Sequence, residues 1–299
     1  MKTAFTRKIF MVRPANFGCN PETAETNSFQ STISNNTSLE IAQIARSEFD
    51  VAVAKMRCHG IEVVVYQDSK KPIKPDAVFP NNWISTHPSG HVFIYPMLTP
   101  NRQLEVRLDI VENLGGNSVH DFRKASDLIL EGTGSVVIDH EAKLIYFCDS
   151  DRTDARLVTA LAEKLNFSVC GFKSVDHKGI PIYHTNVVMF VMNKFVVIGL
   201  ETIGDEIERK RVVEAIVNSG KKVLELSYDQ ITQFAGNMVQ LRTASNSLML
   251  VCSETAWAAL EANQKKEIKK VSEVLSISIP TIELYGGGSA RCMIAENYI

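Results

Sequence analysis

The sequence predicts an α/β fold built from a repeated unit of two strands and a helix. Four times, an apolar run, a short turn and a second apolar run precede a charged stretch with helical spacing. A fifth apolar run, CMIAEN, closes the series with no helix behind it. Just ahead of the first run of each copy stands a polar residue: Asn82, Glu131, His184, Asn237 and Cys292. Their steps of about 49, 53, 53 and 55 residues fall in the range of a repeat architecture.

The elements follow in order. IFMVRPANF opens as a strand. Asn20 to Ser38 is polar and aperiodic and reads as a long surface loop, with Ser38 as the cap of the next helix. That helix carries Ile41, Ile44, Ala45, Phe49, Val53 and Met56 at helical spacing and stops at Gly60, before the strand IEVVVYQ. The four copies are WISTHP–SG–HVFIYP with NRQLEVRLDIVENLGG, SVVIDHEAKLIYFC with RTDARLVTALAEKLN, VVMFVMNKFVVIGL with GDEIERKRVVEAIVNSG, and MVQLRTASNSLMLVCS with AWAALEANQKKEIKKVSEVLS. The last strand finds its natural partner in the first. Arranged around an axis, the five polar residues would face one another across a single mouth; in a linear αβ sandwich they would be unrelated strand caps. Spacing alone leaves both arrangements open.

Composition narrows the function classes. Apolar residues make up 45% of the 299, and charged residues 22%, as in an ordinary globule with one continuous domain over 1–299. The net charge of −2, with no long basic block, points away from nucleic acid and acidic membranes. No apolar stretch has the length of a signal-peptide core or a membrane span, so a cytoplasmic protein is expected. Cys19, Cys58, Cys148, Cys170, Cys252 and Cys292 form no C-x-x-C pair, which argues against structural zinc and a disulfide framework. His59, His87, His91, His120, His140 and His177 show no ligand spacing.

The five anchors supply a thiol, an imidazole, a carboxylate and two carboxamides. A thiol becomes a nucleophile when an imidazole takes its proton, and the imidazole then hands that proton to a departing amine. This set suits a planar carbon bonded to nitrogens, as in a guanidinium, ureido or amide group. The signatures of serine hydrolases, zincins and phosphate loops are absent from the sequence.

PDAVFPNNW, NRQLE, LEGTGS, SDRTD, HTNVV, FAGNMVQL and GGGSARCM occur in this order from about residue 75 onward. Together they resemble the guanidino-group-modifying (pentein) superfamily of amidinotransferases, arginine deiminases and dimethylarginine dimethylaminohydrolases. The resemblance implies a five-bladed pseudo-symmetric α/β propeller of ββαβ repeats. It implies Cys292 as nucleophile, His184 as general acid/base and Glu131 as the carboxylate beside them. It places Asp76 in the substrate pocket and Arg102 and Arg152 on an amino acid's α-carboxylate. It implies no metal or organic cofactor. The triple glycine before Cys292 reads as a mobile lid.

Two departures bear on the substrate. Asn81 and Asn82 stand where several relatives carry an acid, and Asn186 stands where arginine deiminases have one. Carboxamides leave a buried cation poorly compensated, at a cost of about 3–5 kcal/mol, whereas a neutral ureido group suits both their donors and their acceptors. With Asn237 completing the pocket, the pattern is similar to the citrulline-utilisation hydrolases. It implies conversion of citrulline to ornithine, ammonia and carbon dioxide through an S-carbamoyl cysteine, an amino-acid catabolic step. The alternatives are arginine deiminase, dimethylarginine dimethylaminohydrolase or amidinotransferase activity, and, least favoured, a non-catalytic binding protein on the same fold. The expected partner is a small amino-acid substrate; a homodimer is compatible with the sequence.

Overall fold

The structure is a computed structural model and describes residues 4–24, 26–27, 29–31, 36–124 and 127–299. Strands β1 (Lys8–Arg13), β2 (Glu62–Gln67), β3 (Ile84–Thr86), β4 (His91–Ile94) and β5 (Ser118–Asp121) come first. They are followed by β6 (Val136–Asp139), β7 (Leu144–Cys148), β8 (Ser168–Phe172), β9 (Met189–Val191) and β10 (Phe195–Ile198). The last are β11 (Lys222–Glu225), β12 (Val239–Arg242), β13 (Leu248–Ser253), β14 (Glu273–Ile277) and β15 (Ala295–Asn297).

They form five three-stranded sheets: β3-β4-β5, β6-β7-β8, β9-β10-β11, β12-β13-β14 and β15-β1-β2. In each sheet the first pair is antiparallel and the second parallel. A hairpin joins antiparallel strands, while a parallel pair requires a crossover. Helices within the crossovers supply it, so each blade is a ββαβ unit. The fifth blade pairs the last strand with the first, Phe10 opposite Ala295.

First strands of neighbouring blades meet at the centre: β15 with β3, β6 with β9 and β9 with β12. All five first strands line one axial cavity of about 60 Å³, room for a few waters. This excludes the linear sandwich.

The helix Ser38–Cys58 shows how sequence makes an element here. Thr37 caps it, accepting from the Glu40 N–H while Glu40 caps back, so the cap lies one residue before Ser38. Ile41, Ala45, Phe49, Val53 and Met56 are buried on one stripe, but Ile44 is exposed. Positions 25, 28 and 32–35 of the preceding polar stretch lie outside the described residues. Its other early residues are only partly at the surface: Asn20, Thr23 and Asn27 are buried, while Pro21 and Glu22 are exposed. The expected helix over residues 256–276 breaks into Glu254–Ala259 and Ala262–Lys269, and its end is strand β14. Glu261 and Gln264 form a capping box that starts the second helix afresh. NRQLEVRLDIVENLGG is likewise divided, into Pro100–Gln103 and Leu108–Leu114. No helix among the described residues is long and apolar enough to cross a membrane.

Candidate active site

The polar anchors do not all sit directly on their strands. Glu131 and His184 precede one-turn helices, Gly132–Ser135 and Thr185–Val188, which lead into β6 and β9. Asn82 ends a 3-10 turn, Pro80–Asn82, and Cys292 lies in a turn three residues before β15. These turns lift the side chains to one end of the axis, where the structure brings them together. Close approach there demands glycine: a Cβ on Gly134 would stand 2.3 Å from Asn82 Nδ2 and 2.8 Å from the His184 ring.

Glu131 is the hub. Its Oε2 lies 2.8 Å from His184 Nε2 and 3.4 Å from one nitrogen each of Arg102 and Arg152. Its Oε1 accepts from the Leu98 N–H at 3.1 Å. Burial alone would raise this carboxyl, but Arg152, the His184 hydrogen bond and Arg102 outweigh it and hold it well below the usual range. Glu131 is therefore ionised. Burial pushes His184 down to about 4, against the upward pull of Glu131, so the imidazole is neutral and its Nε2 donates to the carboxylate.

Around Cys292 the carboxamides set the field. Asn237 Oδ1 accepts from the Arg291 N–H and its Nδ2 donates to the Asn186 carbonyl, which fixes the amide's orientation. Its Nδ2 then faces Cys292 Sγ at 3.2 Å, and Asn186 Nδ2 does so at 3.5 Å. Two N–H donors thus await a thiolate. Burial pushes the thiol up despite them.

The remaining expected residues divide by how fully they are engaged. Asn82 Oδ1 accepts from Arg102 at 3.0 Å. Asn81 is fully buried, and both polar atoms of its amide lack a partner. Asp76 accepts from Asn20 through Oδ2 at 2.6 Å, while its Oδ1 has none. Burial raises the Asp76 carboxyl against Arg102 and Asn20. Cys292, His184 and Glu131 are 5%, 3% and 0% exposed. The triple glycine is packed rather than loose: Gly286 and Gly288 abut Phe79, and Gly287 is left-handed at φ +62° against Asn27.

Four residues of the site escaped the sequence reading. Glu105 grips Arg102 through two bonds of 2.9 and 3.1 Å; its i,i+3 spacing was a usable signal. Tyr183 lies under the Arg152 guanidinium, 4.7 Å from Cζ to ring centre. Asn20 and Thr26, which touch Asp76 and Arg152, come from the polar stretch, where nothing marked them.

A buried thiol facing amide donors and an imidazole hydrogen-bonded to a carboxylate are a set suited to attack on an electrophilic carbon bonded to nitrogen. The chain superposes on ArgZ, an arginine dihydrolase from the ornithine-ammonia cycle in cyanobacteria, with a TM-score of 0.76 at 16% identity. That match covers 96% of this chain and 40% of ArgZ, so the chain spans about two fifths of the length of that protein. AgrE, in a mutant complex with L-arginine, gives 0.76 at 17% identity over 96% of this chain and 39% of that one. DDAH from Pseudomonas aeruginosa, in a mutant complexed with citrulline, gives 0.67 at 13% identity, covering 98% and 99%. No curated protein matches in sequence. The family described as N,N dimethylarginine dimethylhydrolase, eukaryotic, matches residues 13–299. The chain belongs to that family, within the pentein superfamily.

Proposed function

We propose that the protein hydrolyses the ureido group of citrulline, giving ornithine, ammonia and carbon dioxide. The observation that carries this is the charge inventory of the mouth. Glu131 is already shared among His184, Arg102 and Arg152, and Glu105 is taken by Arg102. Asp76 keeps one free oxygen, which suits an α-ammonium. The groups next to Cys292 are carboxamides, and Asn81 offers an unpaired donor and acceptor. A neutral ureido group matches that lining, whereas a buried guanidinium would lack a counter-charge.

In this mechanism Arg152, with Arg102 beside it, anchors the amino-acid head. Asn81, Asn82 and Asn186 fix the ureido plane. Cys292 passes its proton to His184 as Sγ attacks the ureido carbon. Glu131 stabilises the imidazolium that forms, and Asn237 and Asn186 steady the sulfur. The C–N bond breaks as His184 protonates the leaving nitrogen, leaving a thiocarbamate on Cys292. His184 next takes a proton from water, whose oxygen adds to the thiocarbamate carbon. The C–S bond breaks, the thiol is restored, and the released carbamate falls to carbon dioxide and an amine.

The family match favours a second reading, hydrolysis of N,N-dimethylarginine to citrulline and dimethylamine by the same cysteine, histidine and glutamate. Product analysis with citrulline, arginine, dimethylarginine and agmatine, each with a Cys292→Ser control, decides between them. Ornithine and ammonia from citrulline alone, lost in the control, is the expected result. Citrulline formed from dimethylarginine or arginine transfers the assignment to the second reading.

A further inference from the structure

Glu283 is a buried carboxyl that the proposed mechanism does not use. It lies on the helix Pro280–Gly286, which leads into the glycines before Cys292, and is 4% exposed. A buried carboxylate is ordinarily paired with a cation. Glu283 is held by hydroxyls instead: its Oε1 accepts from Ser289 Oγ at 2.6 Å, and hydrogen bonds from Ser253 and Thr255 also favour its ionised form. Burial raises the carboxyl against these hydroxyls, and Glu48, of like sign, adds to the rise.

These contacts join the two blades that meet at Cys292. The Ser289 carbonyl accepts from the Cys292 N–H at 3.0 Å and closes the turn that bears the thiol. Ser253 ends β13, the hairpin partner of β12. Val251 faces Val239 in that hairpin, so Ser253 lies at the same end of it as Asn237. Asn237 in turn aims its Nδ2 at Cys292 Sγ, 3.2 Å away. Glu283 thus spans the gap between the strand end beside the amide donor and the turn beside the sulfur.

We propose that Glu283 is a positioning residue: held at Ser253 and gripping Ser289, it fixes the turn that presents the Cys292 thiol to the amide donors of Asn237 and Asn186. The path from carboxyl to sulfur is short. It runs through the Ser289 hydroxyl, the Ser289 carbonyl and the Cys292 N–H. Without the Glu283 acceptor the buried Ser289 hydroxyl must turn to another partner, and the turn moves with it. The inference rests on Cys292 as the nucleophile of the proposed reaction but not on which substrate it attacks.

The test reads the thiol itself. Alkylation of Cys292 by iodoacetamide, followed by peptide mass spectrometry across pH, gives a midpoint that reports the thiolate. That midpoint does not depend on how easily the reagent enters. Ser289→Ala removes the link and leaves Glu283 its other hydroxyls, while Glu283→Leu removes the carboxyl. Each should move the midpoint up by about one unit, tenfold less thiolate at a given pH, as expected for weakening a hydrogen bond to an ionised group. Because both act through one contact, the double variant should shift it no further. Glu283→Gln keeps an accepting oxygen and should hold the thiolate fraction within about twofold of the unaltered protein. On whichever substrate product analysis identifies, Ser289→Ala should lower kcat about tenfold and leave KM unchanged, since the turn carries the thiol and not the groups around the amino-acid head. If citrulline is not turned over, the ureidohydrolase reading fails while the midpoints still read the role of Glu283. Should Glu283→Leu not fold, Ser289→Ala decides alone. A midpoint unmoved in Ser289→Ala, or shifts that add in the double variant, would overturn the assignment.

Discussion

In the proposed reaction the proton that Cys292 gives up starts on sulfur and leaves through His184. Burial raises the thiol and pushes the imidazole down to about 4, so neither is charged near neutrality. Under the proposed mechanism His184 therefore delivers the thiol's own proton to the leaving nitrogen. A base with a lowered pKa stays unprotonated until the pH falls to that lower value, so activity is lost only there. The pH dependence of kcat/KM, which reports the free enzyme, should be flat through 6.5 and fall on the acid side near 4. An acid limb near 6.5 would mean that His184 is solvated before substrate binds. Cys292, His184 and Glu131 could be singled out in the sequence because each is a chemistry-bearing type at a repeated position. Asn20 and Thr26 were not, because polarity without periodicity signals a surface. Asn20 is buried and Thr26 partly so, and each is held by a hydrogen bond to a charged group, Asp76 and Arg152, partners that only the fold reveals.

At the level of elements, the hairpins of the blades were readable and the third strands mostly were not. The outer strands β5, β8, β11 and β14 are short and only partly buried, so they lack the apolar runs that mark β6 or β10. Across β14 and the turn before it, the spacing of Val271, Val274 and Leu275 imitates a helical stripe, which is why the preceding helix appeared to run through it. The one-turn helices under Glu131 and His184 were also hidden, because four residues are too few to show a period. Yet they set the catalytic distances, and Gly134 is the tightest point. Gly134→Ala should cost about 1–3 kcal/mol of stability through overpacking. It should also lower kcat about a hundredfold by displacing the His184 ring. Thermal melts and steady-state rates would measure both. Gly204→Ala, where a Cβ meets nothing within 4 Å, is the control and should change neither. If Gly134→Ala matches it, the turn gives way and the geometry around His184 is softer than its packing indicates.

Over the whole molecule, a ring of blades has one seam, and here it is the pairing of β15 with β1. Because each blade contributes one anchor to the mouth, the seam positions Cys292 relative to the four residues that precede it in the chain. The short strand β15 does not hold alone. Thr6 Oγ1 donates to the Asn297 carbonyl at 2.6 Å, Thr86 Oγ1 to the Glu296 carbonyl at 2.9 Å, and the Tyr298 hydroxyl to the Ala4 carbonyl at 2.7 Å. Arg291, next to Cys292, pairs with Glu296 at 2.9 Å. The last residues thus tie the fifth blade to the chain's first strand and to the neighbouring blade at β3. Losing them exposes the apolar faces of Phe10 and Val12, which pack with Ala295 and Trp83, and leaves the β1 edge unpaired, a route to aggregation. Deleting residues 295–299 should abolish the single cooperative melt and yield aggregated or partly folded protein by size exclusion, with no titratable buried thiol at Cys292. The milder Tyr298→Phe, which removes only the hydroxyl's bonds, should retain the fold and lose about 1 kcal/mol. A deletion variant that still melts cooperatively, with Cys292 protected from thiol reagents, would mean that the four remaining blades hold the mouth without closing the ring.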